Sequence, residues 1–169
     1  MNTKIFTEWT TSQSAIPVHI ARTIYYAYIN VIRELEKNFS VKFIPSQNSC
    51  YRPYAYEISR GRSGGSLHTF PTGTLGACDL ITSRGRITPS DLDLLKIYSP
   101  FKRICYYPNN GFVHVDYGLP GMPVHRREYY TCTSPTAKWV FVGDLDDNRE
   151  FWNLQYTLMQ NRIYLDNGS

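Results

Sequence analysis

The sequence predicts an α+β fold: a single domain of helices packed on a small, mostly antiparallel sheet. Three observations point there. An early stretch carries apolar residues at helical spacing. Several short β-rich runs follow it, two of them joined by Asn-Gly. Apolar residues make up 42% of the 169 residues, enough for one compact core.

The helical stretch runs from about 16 to 39. Ile20, Ile24, Tyr28, Val31 and Leu35 recur every three or four residues and form one apolar stripe. Ser12 or Ser14 is positioned to cap it, and Pro17 suits a first turn. Val41 to Ile44 reads as a short strand stopped by Pro45, and a short helix fits within Ser49 to Tyr56. Gly61 to Gly76 is rich in Gly, Ser and Thr and reads as a loop. Cys78 to Thr82 reads as a strand.

Thr88-Pro89-Ser90-Asp91 has the form of a capped helix start, with the helix running to about Tyr98. Arg103 to Tyr107 and Phe112 to Asp116 flank Pro108-Asn109-Asn110-Gly111, a strong hairpin signal. Further strands are expected near Glu128 to Thr133 and Lys138 to Val142, and a last helix from Asp147 to about Tyr164. No repeat, low-complexity tract or linker divides the chain. One domain over 1–169 is therefore expected, with a motif-bearing core at about 41–120 and an extension of the same domain at 122–169.

Net charge is +4, and the densest basic groups are Arg60/Arg62 and Arg126/Arg127. There is no basic tail or Lys/Arg run, so no nucleic-acid partner is expected. Fourteen tyrosines and 15% aromatic residues offer rings for base stacking, but they alternate with apolar residues as core tyrosines do. The start lacks the apolar run of a signal peptide, and no stretch is long enough to span a membrane. Cytoplasmic synthesis without a signal peptide is the expectation. Cys50, Cys78, Cys105 and Cys132 are widely spaced with no Cys-x-x-Cys pair, so buried reduced thiols are expected.

Four histidines occur: His19, His68, His114 and His125. His19 falls on the first helix and His125 in a Pro-flanked loop. His68 lies in the Gly-rich loop, and Asp79 follows on a strand. His114 and Asp116 are two apart on another strand, so they share a face. Imidazole and carboxylate are zinc ligands, and three of them with an open position is the catalytic arrangement.

Residues 49–118 supply a more specific pattern. Ser49-Cys50-Tyr51-Arg52-Pro53, Ser66-Leu67-His68, Ala77-Cys78-Asp79 and Tyr106 through Phe112-Val113-His114-Val115-Asp116 occur in that order. Together they resemble the M15 family of zinc peptidases, the D-alanyl-D-alanine carboxypeptidases and murein endopeptidases, and within it the phage-lysin-like members. The resemblance covers about seventy residues, and its most specific part is the closing Tyr-Tyr-Pro to His-Val-Asp stretch.

The resemblance implies a hedgehog/D-Ala-D-Ala peptidase-like fold and one Zn2+ per chain held by His68, Asp79 and His114. It implies that Arg52 grips the substrate or its developing oxyanion. Ser66 is a candidate hydrogen-bond donor to substrate. Of Tyr106 and Tyr107, one is expected to face the cleft, and Tyr107 is the candidate for substrate contact.

Two departures carry consequences. The segment from Thr69 to Gly76 makes the His-to-Asp interval four residues longer than the family pattern. A loop absorbs that cheaply, and the excess is expected to bulge beside the cleft and shape substrate choice. Relatives also place an acid three residues before the last His, or a His two before it, where this chain has Gly111 and Phe112. Asp116 then stands as the candidate base, or alternatively as the partner that orients His114.

The implied activity is zinc-dependent hydrolysis of an amide bond in peptidoglycan stem peptides, by carboxypeptidase or endopeptidase cleavage. Such a peptidase would act on the cell wall after release, as a phage-encoded lysin does. The alternative is a catalytically inactive zinc- or wall-binding module of the same fold. The extension at 122–169 is expected to cover one cleft edge, contact the wall, or complete the core. Oligomeric state leaves no mark in the sequence.

Overall fold

The computed structural model describes residues 8–10, 15–47, 49–150 and 152. Its helices are α1 (Val18–Ile24), α2 (Asn30–Phe39), α3 (Tyr54–Ser59) and α4 (Pro89–Tyr98). Its strands are β1 (Phe43–Pro45), β2 (Ala77–Thr82), β3 (Arg103–Tyr107), β4 (Phe112–Asp116), β5 (Arg127–Thr131) and β6 (Val140–Leu145). The six strands form one sheet in the order β1-β2-β4-β3-β5-β6. All pairings are antiparallel except β3 with β5.

α1 and α2 are one continuous rod, joined by a π turn at Tyr25–Ile29. The predicted stripe is buried along its whole length: Ile20, Ile24, Tyr28, Val31 and Leu35. Ser40 closes the rod in the left-handed conformation, φ 56°, where its N–H still reaches the Glu36 carbonyl. At the other end Pro17 occupies the cap position without a side-chain bond, and Ser12 and Ser14 lie outside the described residues. α4 begins with a full capping box, Thr88 with Asp91. The helix expected from Asp147 lies mostly outside the described residues.

The hairpin of β3 and β4 has the predicted bounds, with Gly111 at φ 73° in its turn. Its register pairs Tyr107 with Phe112, Cys105 with His114, and Arg103 with Asp116. Side chains alternate between the sheet faces, so the two faces differ in character. Leu80, Val113, Val115 and Ile104 point into the core with the α1–α2 rod. Asp79, His114 and Cys105 lie in one row on the opposite face, and the row continues to Tyr130 and Phe141.

The long segment after His68 departs from expectation. Rather than bulging beside the cleft, it folds inward. Phe70 and Leu75 join the core, and the Tyr28 hydroxyl donates to the Leu75 carbonyl at 2.9 Å. Burying two large apolar side chains outweighs leaving them on a polar rim. A second brace comes from Arg127, which is buried and donates to the carbonyls of Leu95, Lys96, Ser99, Phe101 and Asp146. It ties the end of α4 to the last two strands.

Candidate metal centre

Three elements converge on one point. β2 presents Asp79 and β4 presents His114 directly opposite it. His68 arrives on a short 3₁₀ turn, Leu67–Thr69, whose start is capped by the Ser66 hydroxyl accepting from the His68 N–H. The Arg52 N–H anchors this turn by donating to the His68 carbonyl at 2.8 Å.

The donor atoms stand at the corners of a small triangle. His114 Nδ1 is 3.1 Å from Asp79 Oδ1 and 3.3 Å from His68 Nε2, and His68 Nε2 is 3.4 Å from Asp79 Oδ1. Tetrahedral zinc with ligands at about 2.0–2.1 Å requires donor–donor edges of about 3.3–3.4 Å. The donor set and its spacing therefore fit a zinc ion.

Each ligand is oriented from behind. His68 Nδ1 donates to the Cys50 carbonyl at 2.8 Å, which leaves Nε2 as the free lone pair. His114 Nε2 donates to Asp116 Oδ2 at 2.8 Å, which leaves Nδ1 for a metal. Arg52 holds Asp79 Oδ2 at 2.8 Å and leaves Oδ1 facing the histidines. The Asp79 N–H is itself fixed by the Ser49 hydroxyl at 2.6 Å. Such outer contacts set tautomer and ring orientation.

The electrostatics follow from these contacts. Burial disfavours charge on His114, yet its hydrogen bonds to Asp116 and Asp79 win and push its pKa up to about 9. Burial lowers His68, with Asp79 only partly opposing. Burial alone would raise Asp79, but His68 and His114 hold it well below the usual carboxylate range. Asp116 is likewise held down at about 2 against its burial, by His114 and Arg103.

A cavity of about 470 Å³ opens over the triangle. This volume suits a small-molecule or peptide site. One end is polar, with Arg52, Glu57, Arg62 and the segment Ser63–Ser66. The other is apolar, with the rings of Tyr107, Phe112 and Trp139 and with Pro135. Trp139 is fixed there by four neighbours. Its N–H donates to the Tyr107 hydroxyl at 2.8 Å, its ring meets His114 edge-on at 4.8 Å and Tyr130 at 5.2 Å, and the Arg103 guanidinium lies 5.0 Å from its centroid.

The cavity thus gathers Arg52, Ser66, His68, Asp79, Tyr107 and His114 from the sequence-derived set. Tyr107 faces the cavity and Tyr106 packs against the core, as alternation on β3 requires. Arg52 is engaged with Asp79 and, at 3.7 Å, with Glu57. His19 and His125 are exposed and outside the cluster. Asp116 does not line the cavity. It is fully buried behind His114, and its two oxygens accept from His114, from Arg103 and from the Gly118 N–H. The expected role of base does not suit that position, whereas the orienting role does.

Five contributors carry no mark in the motif pattern. Arg103 was findable: the Asn-Gly turn sets a register in which it faces Asp116 across the hairpin. Glu57 and Arg62 carry no local signal. Trp139 and Pro135 come from the extension at 122–169, which supplies one wall of the cavity.

No family model matches the chain, and no curated protein or solved structure does. The His68/Asp79/His114 cluster is the group of potential metal ligands found among the described residues, all three buried. No helix among those residues is long and apolar enough to cross a membrane.

Proposed function

We propose that the chain is a zinc-dependent peptidase that hydrolyses an amide bond in the stem peptides of peptidoglycan. The observation that carries this reading is the triangle of His68 Nε2, Asp79 Oδ1 and His114 Nδ1 in the floor of a peptide-sized cavity. The motif resemblance at 49–118 supplies the choice of substrate. His68, Asp79 and His114 would hold the zinc, which would supply Lewis acidity for a carbonyl and lower the pKa of water to about 7.

The chain's own residues bind and orient. Asp116 keeps a proton on His114 Nε2, and the Cys50 carbonyl keeps one on His68 Nδ1, so His68 offers Nε2, and His114 offers Nδ1 once it gives up its second proton. Arg52 stands beside Asp79 at the polar end, where its guanidinium meets a carboxylate or a developing oxyanion of the bound peptide. The Ser66 hydroxyl lies on the same side. Tyr107 and Trp139, joined by a hydrogen bond, give the same cavity an aromatic lining. Asp116 is a positioning residue in this scheme.

A second reading, metal binding without turnover, has one observation in its favour. Apart from Asp79, the carboxylate that lines the cavity is Glu57, and it is tied by Arg62 at 3.2 Å and Arg52 at 3.7 Å. A base must reach the proton it removes, and Glu57 is held by cations. Elemental analysis of wild type beside His114→Ala tests the metal site: about one zinc per chain, lost in the variant, is expected. Digestion of purified muropeptides then separates the readings. Release of a cleaved peptide supports the peptidase, and zinc binding without product supports the inactive module.

A further inference from the structure

The row of side chains that holds the metal ligands does not stop at the cavity. Asp79, His114 and Cys105 are followed across the sheet by Tyr130 on β5 and Phe141 on β6. Trp139 bridges the cavity and this outer part, with its ring centroid 5.2 Å from that of Tyr130. Tyr130 in turn lies 5.6 Å from Phe141. The three rings are inclined by 50° and 70° in succession, so each presents its own facet. Phe141 is half exposed, at 50%. With Tyr130 and Trp139 it forms a contiguous aromatic patch leading out of the cavity, and it is contiguous patches that mark ligand-binding surfaces.

The next row on the same face is charged. Glu128 pairs in register with Asp144, and Arg126 sits between them at 3.1 Å and 3.6 Å. This combination discriminates among occupants. Two carboxylates beside the rings disfavour a polyphosphate. The core of a protein–protein contact is depleted of charge. A sugar ring matches both rows, because its C–H face stacks on an aromatic ring while its hydroxyls bond to carboxylate and guanidinium groups.

Distance agrees. Strands lie about 4.8 Å apart, so three steps from β4 to β6 span about 14 Å. An extended peptide covers that with about four residues, the reach of one stem peptide from its scissile bond to the sugar that carries it. We propose that Trp139, Tyr130 and Phe141, with the Glu128/Arg126/Asp144 row, form a glycan-binding strip that seats the polysaccharide of the wall while its peptide lies over the metal centre. The inference rests on the peptidoglycan reading above.

The test is co-sedimentation of the full chain with insoluble cell-wall glycan stripped of its stem peptides by an amidase. Wild type is expected to sediment with the glycan. Phe141→Ala should bind at least tenfold more weakly, with unchanged melting temperature and metal content, and Phe141→Tyr should bind as wild type. Wild type remaining in the supernatant, or Phe141→Ala binding equally well, overturns the strip. So does a wild-type dimer in sedimentation velocity that Phe141→Ala converts to monomer without any glycan effect. Cleavage of a free stem peptide is measured in parallel. Cleavage without glycan binding overturns this inference and spares the peptidase, whereas glycan binding without cleavage does the reverse.

Discussion

His114 is gripped from two sides, by Asp116 at Nε2 and by Asp79 at Nδ1. In the metal-free fold this holds its pKa at about 9, against about 6.5 in an unfolded chain. Its proton therefore stabilises the fold fully below about pH 6.5, and that contribution is lost as pH rises through about 9. The melting temperature of metal-free protein should fall across that window in a thermal scan, and a flat profile would refute the assignment. Zinc must displace the same proton. With His68 already shifted toward neutrality, uptake near neutral pH should release about one proton per chain. Calorimetry in buffers of different ionisation enthalpy reads that number directly. Asp116→Asn keeps the shape but weakens the hold on His114, so zinc affinity should drop by about 10–100-fold in chelator competition. An unchanged affinity would remove Asp116 from the site's support.

At the scale of elements, local chemistry explains what was legible. The capping box at Thr88/Asp91 and the Asn-Gly turn act over a few residues, and both elements sit where the sequence put them. The destination of residues 69–76 was not legible, because it is decided by distant partners, Tyr28 above all. Gly76 records that packing. It has φ 64°, and a Cβ there would lie 2.4 Å from the Phe70 ring. Gly76→Ala should therefore cost roughly 1–3 kcal/mol in denaturant unfolding, and a neutral result would mean the segment does not pack as described. In the sequence Arg127 is marked only as one of the pair Arg126/Arg127. As a buried donor to five carbonyls it is worth more: Arg127→Met should cost about 3 kcal/mol or more, read as a lowered denaturation midpoint.

For the whole molecule, His68, Asp79 and His114 were legible as a set through the motif pattern, and the fold brings them together. Their support was less so. Arg103, Glu57 and Trp139 come from β3, α3 and the segment before β6, and the hairpin register links only Arg103, to Asp116 behind His114. The walls of a cavity are a property of the assembled sheet, which no short pattern encodes. Zinc that binds only the folded state should also stabilise the whole chain, by about 2.7 kcal/mol at a hundredfold excess over its dissociation constant. A rise in melting temperature with zinc, absent in His114→Ala, checks this.

The parallel pairing of β3 with β5 sets an order of events. β1 through β4 are contiguous enough to meet early, and the chain from β1 to β4 contains His68, Asp79 and His114. β5 cannot zip onto β4 as the next arm of a meander, because β3 and β2 already flank β4; the chain leaves β4 at Asp116, crosses the start of β3 and pairs on its far side. β5 is also made later on the ribosome. Until it docks, the β3 edge is open to any passing strand, including that of another nascent chain. The centre would then exist before the wall that Pro135 and Trp139 supply, and an ion captured at that stage could hold the early strands in place while the remainder of the chain is synthesised.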